Sequence, residues 1–258
     1  MAALVTKMPV FDHGFVILRN LAGPTRRLYD EELRSNMDGS AQGYVQIERE
    51  FDADDIDPAN AARMSFDQMD SDRTREEDLK LCNYLMKNKH SSPFEMIQVW
   101  LEIKMPIFIA RQFVRHRTQS LNEVSGRYAT LPAEWYVPEV VGGKAKNVKQ
   151  GQADNLDDNC QMEFKAYLEN HCKTGYAHYL TAMHNGVAPE HARMFLSLNH
   201  YTHWLSSTNL HNLMHFLSLR TDSHAQIEAQ KYAEAIITLV RMRLPHCMEL
   251  FDKYRRLS

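Results

Sequence analysis

The 258-residue chain is short of several things, and each shortage removes a class of protein. Its four cysteines, Cys82, Cys160, Cys172 and Cys247, form no CxxC pair, so neither a disulfide framework nor a zinc ribbon is expected. No apolar run approaches the roughly 20 residues that span a bilayer. Lys7, Pro9 and Asp12 interrupt the first apolar stretch, which denies it the core of a signal peptide. A basic excess is missing too: 30 Lys+Arg stand against 33 Asp+Glu, giving a net charge of -3, unlike a nucleic-acid coat or a membrane-surface binder. The ten glycines are scattered and no GxGxxG occurs, so the usual dinucleotide-binding fold is excluded. There is no HExxH, no internal repeat and no low-complexity segment. What is left is a cytoplasmic globular protein in which any anion site is a local feature.

What is present begins with enough material for a core: 44% of residues are hydrophobic and 24% charged, which fits one large domain. His13 to Arg19 reads as a short first strand, and Ala22 to about Asp57 as a loop-rich insertion. Helices are predicted from Pro58 and over REEDLKLCNYLMKNK, with HSSPFE (His90 to Glu95) breaking the pattern. Ile97, Val99, Leu101, Ile103 and Met105 alternate with Gln98, Trp100, Glu102 and Lys104, a half-buried strand. Pro106 suits the first turn of a following helix, PIFIARQFVRH. Leu131 to Asp158 reads as an irregular connection. Helices are then predicted over Cys160 to Met183, Pro189 to Phe195, Ser207 to Arg220, and Ser223, capped by itself or Asp222, to about Leu244.

The densest polar stretch is RHRTQSLNEVSGRY, residues 115 to 128. Gln112 and Arg115 share a helix face, while Arg111 and Arg115, four apart, repel unless an anion lies near them. Guanidinium groups clamp phosphates and carboxylates, and Ser120, Asn122, Ser125 and Gly126 turn the backbone so that its N–H groups face an oxyanion. A solvated basic surface at a helix end is the alternative for RHR alone, but Asn122 and Glu123 among hydroxyls are a mixture that a plain solvated face does not need.

This stretch is similar to the signature of the flavin-dependent thymidylate synthases, RHR, seven residues, then Ser. It stands here as Arg115-His116-Arg117, TQSLNEV and Ser125, within a longer pattern of Ser120, Asn122, Glu123, Arg127 and Tyr128. The resemblance extends over DHGFVIL, AARMSFD at 61 to 67, YLMKNKHSSPFE at 84 to 95, PIFIARQ at 106 to 112 and LMHFLSLRTDSHAQ at 213 to 226, leaving out mainly 22–57 and 140–159. It implies a compact α+β fold, a single domain over 1–258 with a mainly antiparallel sheet, a helix-rich second half and loop-rich insertions near 22–57 and 140–159. It also implies a homotetramer with active sites shared between subunits.

The reaction implied is methylation of 2'-deoxyuridine 5'-monophosphate to thymidine 5'-monophosphate, with methylenetetrahydrofolate as carbon donor, NADPH as reductant and FAD as hydride carrier. No metal, nucleic-acid polymer or membrane is involved. By the resemblance, Gln112, Arg115, Glu123, Ser125, Gly126, Arg127, Arg193 and Arg220 contact the nucleotide. Ser92, Arg115, His116, Arg117, Glu123, Asn209, His211 and His215 contact FAD, and His90 and Glu95 line the flavin. Met96 stands where many members have a second histidine, and His211 and His215 stand where others have Arg and Asn.

Chemistry assigns the roles independently. A ring carbon becomes nucleophilic when a cation polarises a neighbouring carbonyl or the ring nitrogen between carbonyls, and Arg220, closing the apolar helix HNLMHFLSLR, can bury its stem while presenting its charge. An ordinary helix-terminal cation is the alternative. Ser125 is expected to donate a hydrogen bond rather than attack, because no base with an orienting acid stands near it in sequence.

Three other functions fit single features. A metal hydrolase would use His211 with His215 or His200 with His203. An RNA-binding module would use RHR with Phe113, Tyr128, Trp135 and Tyr136. A thiol-dependent synthase would need a nucleophile such as Cys247, but the stretch LPHCMELF around Pro245-His246-Cys247 looks like the close of an amphipathic helix with a buried, inert cysteine.

Overall fold

The alternation in residues 98 to 105 organises the molecule. The computed structural model describes residues 6–27, 49–66, 68, 73–145 and 152–256. Its centre is β4 (Gln98–Pro106), whose Val99, Leu101, Ile103 and Met105 are buried while Trp100, Glu102 and Lys104 are half-buried on the other face. On one side β4 pairs with β2 (Gly14–Arg27), itself paired with β1 (Lys7–Val10) and β3 (Arg49–Asp52). On the other it pairs along its whole length with β8 (Tyr201–Asn209), and β5 (Ser120–Glu123) closes that edge. Every pairing in this six-stranded sheet, order β1-β2-β4-β8-β5 with β3 on β2, is antiparallel.

The helices are α1 (Asp57–Arg63), α2 (Arg75–Lys87), α3 (Ser92–Glu95), α4 (Ile107–Phe113), α5 (Asp158–His184), α6 (Pro189–Ala192), α7 (Leu210–Arg220), α8 (Ile227–Arg241) and α9 (Pro245–Tyr254). α8 has nine buried residues, three of them alanines. Small side chains let its axis sit close to the sheet. The buried faces of α2, α4, α7, α8 and α9 join the sheet in one apolar cluster. α2 starts with a capping box in which Glu77 N–H donates to Thr74 Oγ1 and Thr74 N–H to Glu77. The α+β class, the antiparallel sheet and the helical second half are as expected.

Several boundaries differ. The strand expected at 13 to 19 is the second one, and it runs on to Arg27. β1 precedes it through a turn with Phe11 at φ 59°. The insertion expected near 22–57 is therefore strand at both ends, in β2 and β3, while its residues 28–48 lie outside the described residues. Similarly, 140–159 carries a hairpin, β6 (Gly142–Lys144) with β7 (Gln152–Asn155), whose register shifts. α4 stops at Phe113, so Arg115 is not on its face and the pairing with Gln112 does not form on a helix. The segment 207–220 is the end of β8 followed by α7. α8 begins at Ile227 without a side-chain cap, since Asp222 instead accepts from His224 N–H at 2.8 Å in the preceding turn. Pro245 opens a separate helix rather than closing α8.

α9 has no local cap at Leu244. Its first turn is satisfied from 191 and 192 residues away by buried Asp55, which accepts from His246 N–H at 3.0 Å and Cys247 N–H at 2.8 Å. Asp55→Ala leaves both donors without this acceptor and should cost about 2–4 kcal/mol. Chemical denaturation reads this as a lower midpoint, and an unchanged midpoint would contradict the long-range cap.

Candidate functional site

The signature loop is folded by β8. Ser120 lies opposite Ser207 and Asn122 opposite Leu205, so residues expected to be loop form an edge strand. Two further bonds hold the approach to it: Thr208 Oγ1 donates to Thr118 O at 2.8 Å, and Gln119 Nε2 to Phe113 O at 3.0 Å. Beyond β5, Tyr128 and Ala129 N–H both donate to Ser125 O, and Arg127 N–H donates to Ser125 Oγ at 3.3 Å, a tight Ser-Gly turn. A Cβ on Gly126 would lie 3.1 Å from Leu131 Cδ1 and 3.3 Å from Arg193 Cδ, so a larger residue forces both aside. Leu131 is in turn fixed by α5: its N–H donates to Tyr179 Oη at 3.1 Å, and Tyr176 Oη donates to its carbonyl at 3.0 Å.

This turn opens on a cavity of about 330 Å³ lined by Glu123, Ser125, Gly126 and Arg193 together with Tyr201 and Thr202. Thr202 Oγ1 donates to Glu123 Oε1 at 2.5 Å. Four expected nucleotide contacts thus meet in one place. Arg127 sits beside them, paired with Glu190 at 3.2 Å on the exposed surface.

The other nucleotide candidates lie elsewhere on the chain. Arg220 Nε donates to His116 Nε2 at 2.9 Å. His116 also packs edge-on against Phe216, centroids 4.8 Å apart, and Phe216 packs edge-on against Phe113 at the same distance. Burial, then Arg220, then His215 push the His116 pKa down to about 4. Flanking Arg115 and Arg117 are exposed and are not among the causes; burial and an arginine 104 positions away do the work. Burial lowers the Arg220 pKa as well, yet a guanidinium stays charged. Gln112 Nε2 donates to Gln226 Oε1 at 2.5 Å.

Four of the expected flavin contacts, His116, Asn209, His211 and His215, follow α7, while Glu123 lines the cavity beside Ser125. His116 and Arg220 lie at its C-terminal end, and His215 and His211 about one and a half and two and a half turns back. Asn209 caps its start by accepting from Asn212 N–H at 2.9 Å. His211 Nδ1 is 2.8 Å from Arg255 Nη1, and burial first, then Arg255, lowers its pKa. Glu95 is close enough to act on His211 electrostatically. Ser92 and His90 line a separate cavity of about 470 Å³ with Tyr84, Phe66 and Met96. From His211 to Arg220 the track is about 14 Å long. Its imidazoles and guanidinium groups are donors that suit the carbonyl, ring-nitrogen and phosphate acceptors of a flavin nucleotide.

Sequence reasoning missed Arg255, Gln226, Tyr201 and Thr202. Nothing in KYRRLS marks Arg255, and the last two lie at the start of the unrecognised strand β8. The histidine pairs do not converge on a metal: His203 Nε2 is 2.8 Å from Glu102 Oε1, His211 is bonded to Arg255, and among the described residues no cluster of three or more His, Cys, Asp or Glu is placed to hold one. Cys247 is fully buried, and burial and then Asp55 raise its pKa well above the usual thiol value, so it is no nucleophile.

Comparison with known proteins decides the lineage. The family described as thymidylate synthase complementing protein matches residues 47–246. Flavin-dependent thymidylate synthase of Rickettsia conorii is 39% identical over 228 residues, covering 83% of this chain and 76% of its own length. That of Thermus thermophilus is 41% identical over 213 residues, covering 83% and 77%. The chain belongs to the flavin-dependent thymidylate synthase family. A UMP/dUMP methylase from Streptomyces cacaoi bound with 5-Br dUMP superposes with TM-score 0.72 at 31% identity over 80% of this chain and 93% of its own. The residues that line the cavity around Ser125 lie within the stretch the family matches.

One buried and one half-buried imidazole give the fold a pH dependence. Burial pushes His200, like His116, down to about 4. In the unfolded chain these groups titrate near 6.5, so stability is fully present above that pH and is lost as pH falls toward 4. The almost wholly buried His200 contributes up to about 3 kcal/mol across that window. Urea unfolding from pH 7 to pH 4 should show the decline, smaller in a His200→Phe variant; a curve that is flat and identical in both would contradict it.

Proposed function

We propose that this chain methylates 2'-deoxyuridine 5'-monophosphate to thymidine 5'-monophosphate, taking the carbon from methylenetetrahydrofolate and the reducing equivalents from NADPH. The observation that carries the reading is the cavity in which Glu123, Ser125, Gly126 and Arg193 come together in a chain of this family. The Ser-Gly turn and Arg193 offer an anion backbone N–H groups, a hydroxyl and a guanidinium. Bound FAD would supply the hydride-carrying chemistry between NADPH and the methylation; His116, His211, His215, Arg117 and Ser92, with Asn209, His90 and Glu95 beside them, are the residues we assign to hold it.

Arg220 is the residue we assign to activation. Half-buried and still charged, it exerts a stronger field than it would in water. Set against a uracil carbonyl or the neighbouring ring nitrogen, it stabilises the negative charge that makes the ring carbon nucleophilic. Ser125 needs no activated oxygen for its part, since the imidazole nearest in sequence is bonded to Arg220 instead. Because Arg220 and Gln112 do not line the Ser125 cavity of the same chain, we assign the complete site to a homotetramer in which subunits share residues. α5 supports this: of its 27 residues only Cys172 and Tyr179 are buried, and Met162, Phe164 and Tyr167 are exposed. No described helix is long and apolar enough to cross a membrane, and we place the enzyme in the cytoplasm, with no nucleic-acid polymer as partner.

The purified protein should be yellow or take up added FAD, and should oxidise NADPH faster when the deoxynucleotide is present. A protein that neither carries nor binds flavin would contradict the proposal. Arg220→Ala should keep its flavin and lose about 2–5 kcal/mol of transition-state stabilisation, roughly thirty to several thousand fold in turnover. Arg220→Lys should recover little, because a point charge does not reproduce the planar fork. Near-parental rates in both variants would make Arg220 a helix-terminal cation only.

A further inference from the structure

The family resemblance places His116 against the flavin, yet in the fold its Nε2 is already engaged. The acceptor lone pair there takes the Nε proton of Arg220 at 2.9 Å, from a residue 104 positions away. A neutral imidazole that accepts at Nε2 carries its proton at Nδ1. The ring plane is held by the edge contact with Phe216, which Phe113 holds in turn. The backbone beneath it is clamped by His116 N–H to Phe113 O at 3.1 Å, by Gln119 and by Thr208. Thr208 belongs to β8, and α7, which ends in Arg220, begins directly after that strand. Both partners are thus anchored to one strand before any ligand arrives.

We propose that His116 is a positioning residue for the reaction proposed above: it orients the Arg220 guanidinium toward the pyrimidine without neutralising it. The argument rests on that functional reading for the identity of the substrate. A carboxylate partner would fix the direction of the guanidinium but cancel much of the field the substrate should feel. Here, among the described residues, no carboxylate lies within ion-pair distance of Arg220, and the partner supplied is a neutral ring. Committing Nε to His116 leaves the two Nη groups, the forked end that meets planar acceptors in pairs. Burial, which disfavours the imidazolium, keeps the acceptor available at neutral pH. His116 therefore acts on the nucleotide through Arg220.

The test uses the complete flavin-loaded enzyme and two replacements. His116→Phe keeps a ring against Phe216 and removes the acceptor, whereas His116→Gln carries an amide oxygen to about the reach of Nε2. Because His116 is also assigned to the flavin, His116→Phe is assayed at saturating FAD, where a nucleotide KM within about threefold of parent and a kcat lower by roughly 10- to 100-fold are expected, the loss of one hydrogen bond to a charged group. His116→Gln should recover kcat to within about fivefold. The double variant with Arg220→Ala should be no slower than Arg220→Ala alone within about twofold, since both remove one unit. A His116→Phe enzyme that turns over normally once loaded with FAD, or whose effect multiplies with that of Arg220→Ala, overturns the proposal. Nitrogen NMR of the histidine-labelled parent decides the matter without any turnover. An unprotonated Nε2 on His116 at neutral pH is expected, and a proton on Nε2 overturns the proposal. A parent that binds flavin yet methylates no deoxyuridine monophosphate sinks the functional reading instead, and the NMR result then stands by itself.

Discussion

The register of β5 on β8 is the constraint on which the site depends. Side chains alternate along a strand, so a slip of one residue would reverse every residue of the signature loop. With Ser120 opposite Ser207 and Glu123 opposite Trp204, the preceding loop delivers His116 to Arg220 and the following turn delivers Ser125 and Gly126 to Arg193. β8 is itself fixed by nine residues of pairing with β4, whose alternation puts Val99, Leu101, Ile103 and Met105 into the core. Hydrophobic burial on one face of the sheet thereby sets polar geometry at its edge. α7 extends the same logic, because it starts where β8 ends and its apolar residues, Leu213, Met214 and Leu217, seat it in the core while Arg220 emerges beside the loop.

A chain with net charge -3 handles anionic ligands by concentrating cations rather than by overall charge. Arg115 and Arg117 are exposed, Arg193 lines the cavity beside Ser125, and Arg220 is half-buried against a neutral partner. Where the fold needs a cation only for structure, it supplies a carboxylate: Arg63 pairs with buried Asp78 and Arg75 with Asp54. Arg127, a nucleotide candidate, is paired as well, with exposed Glu190 at 3.2 Å.

Much of this was legible in the sequence where local pattern and burial agree. β4 alternates cleanly, the helical spacing of REEDLKLCNYLMKNK marks α2, and the signature loop names the family on its own. β8 was missed because YTHWLSSTN buries hydroxyls: Thr202 and Ser206 share the interior with Tyr201 and Trp204, so hydrophobicity does not alternate although burial nearly does. The apolar run of α7 then follows with no breaking residue, and the two merge into one apparent helix. Long-range partnerships leave no local trace at all. Nothing near His116 announces Arg220, nothing near His211 announces Arg255, and nothing near Pro245 announces Asp55 as the cap of its helix.

The account makes Arg220, although outside the Ser125 cavity of its own chain, a contact to the same nucleotide, with shared subunits closing the gap. A crystal structure of the assembled enzyme with FAD and deoxyuridine monophosphate measures this directly. The account predicts a nucleotide touching Ser125, Gly126 and Arg193 of one subunit, its pyrimidine ring against an Arg220 guanidinium that remains bonded to His116. A nucleotide seated in that cavity with every Arg220 of the assembly out of reach of the ring would contradict it.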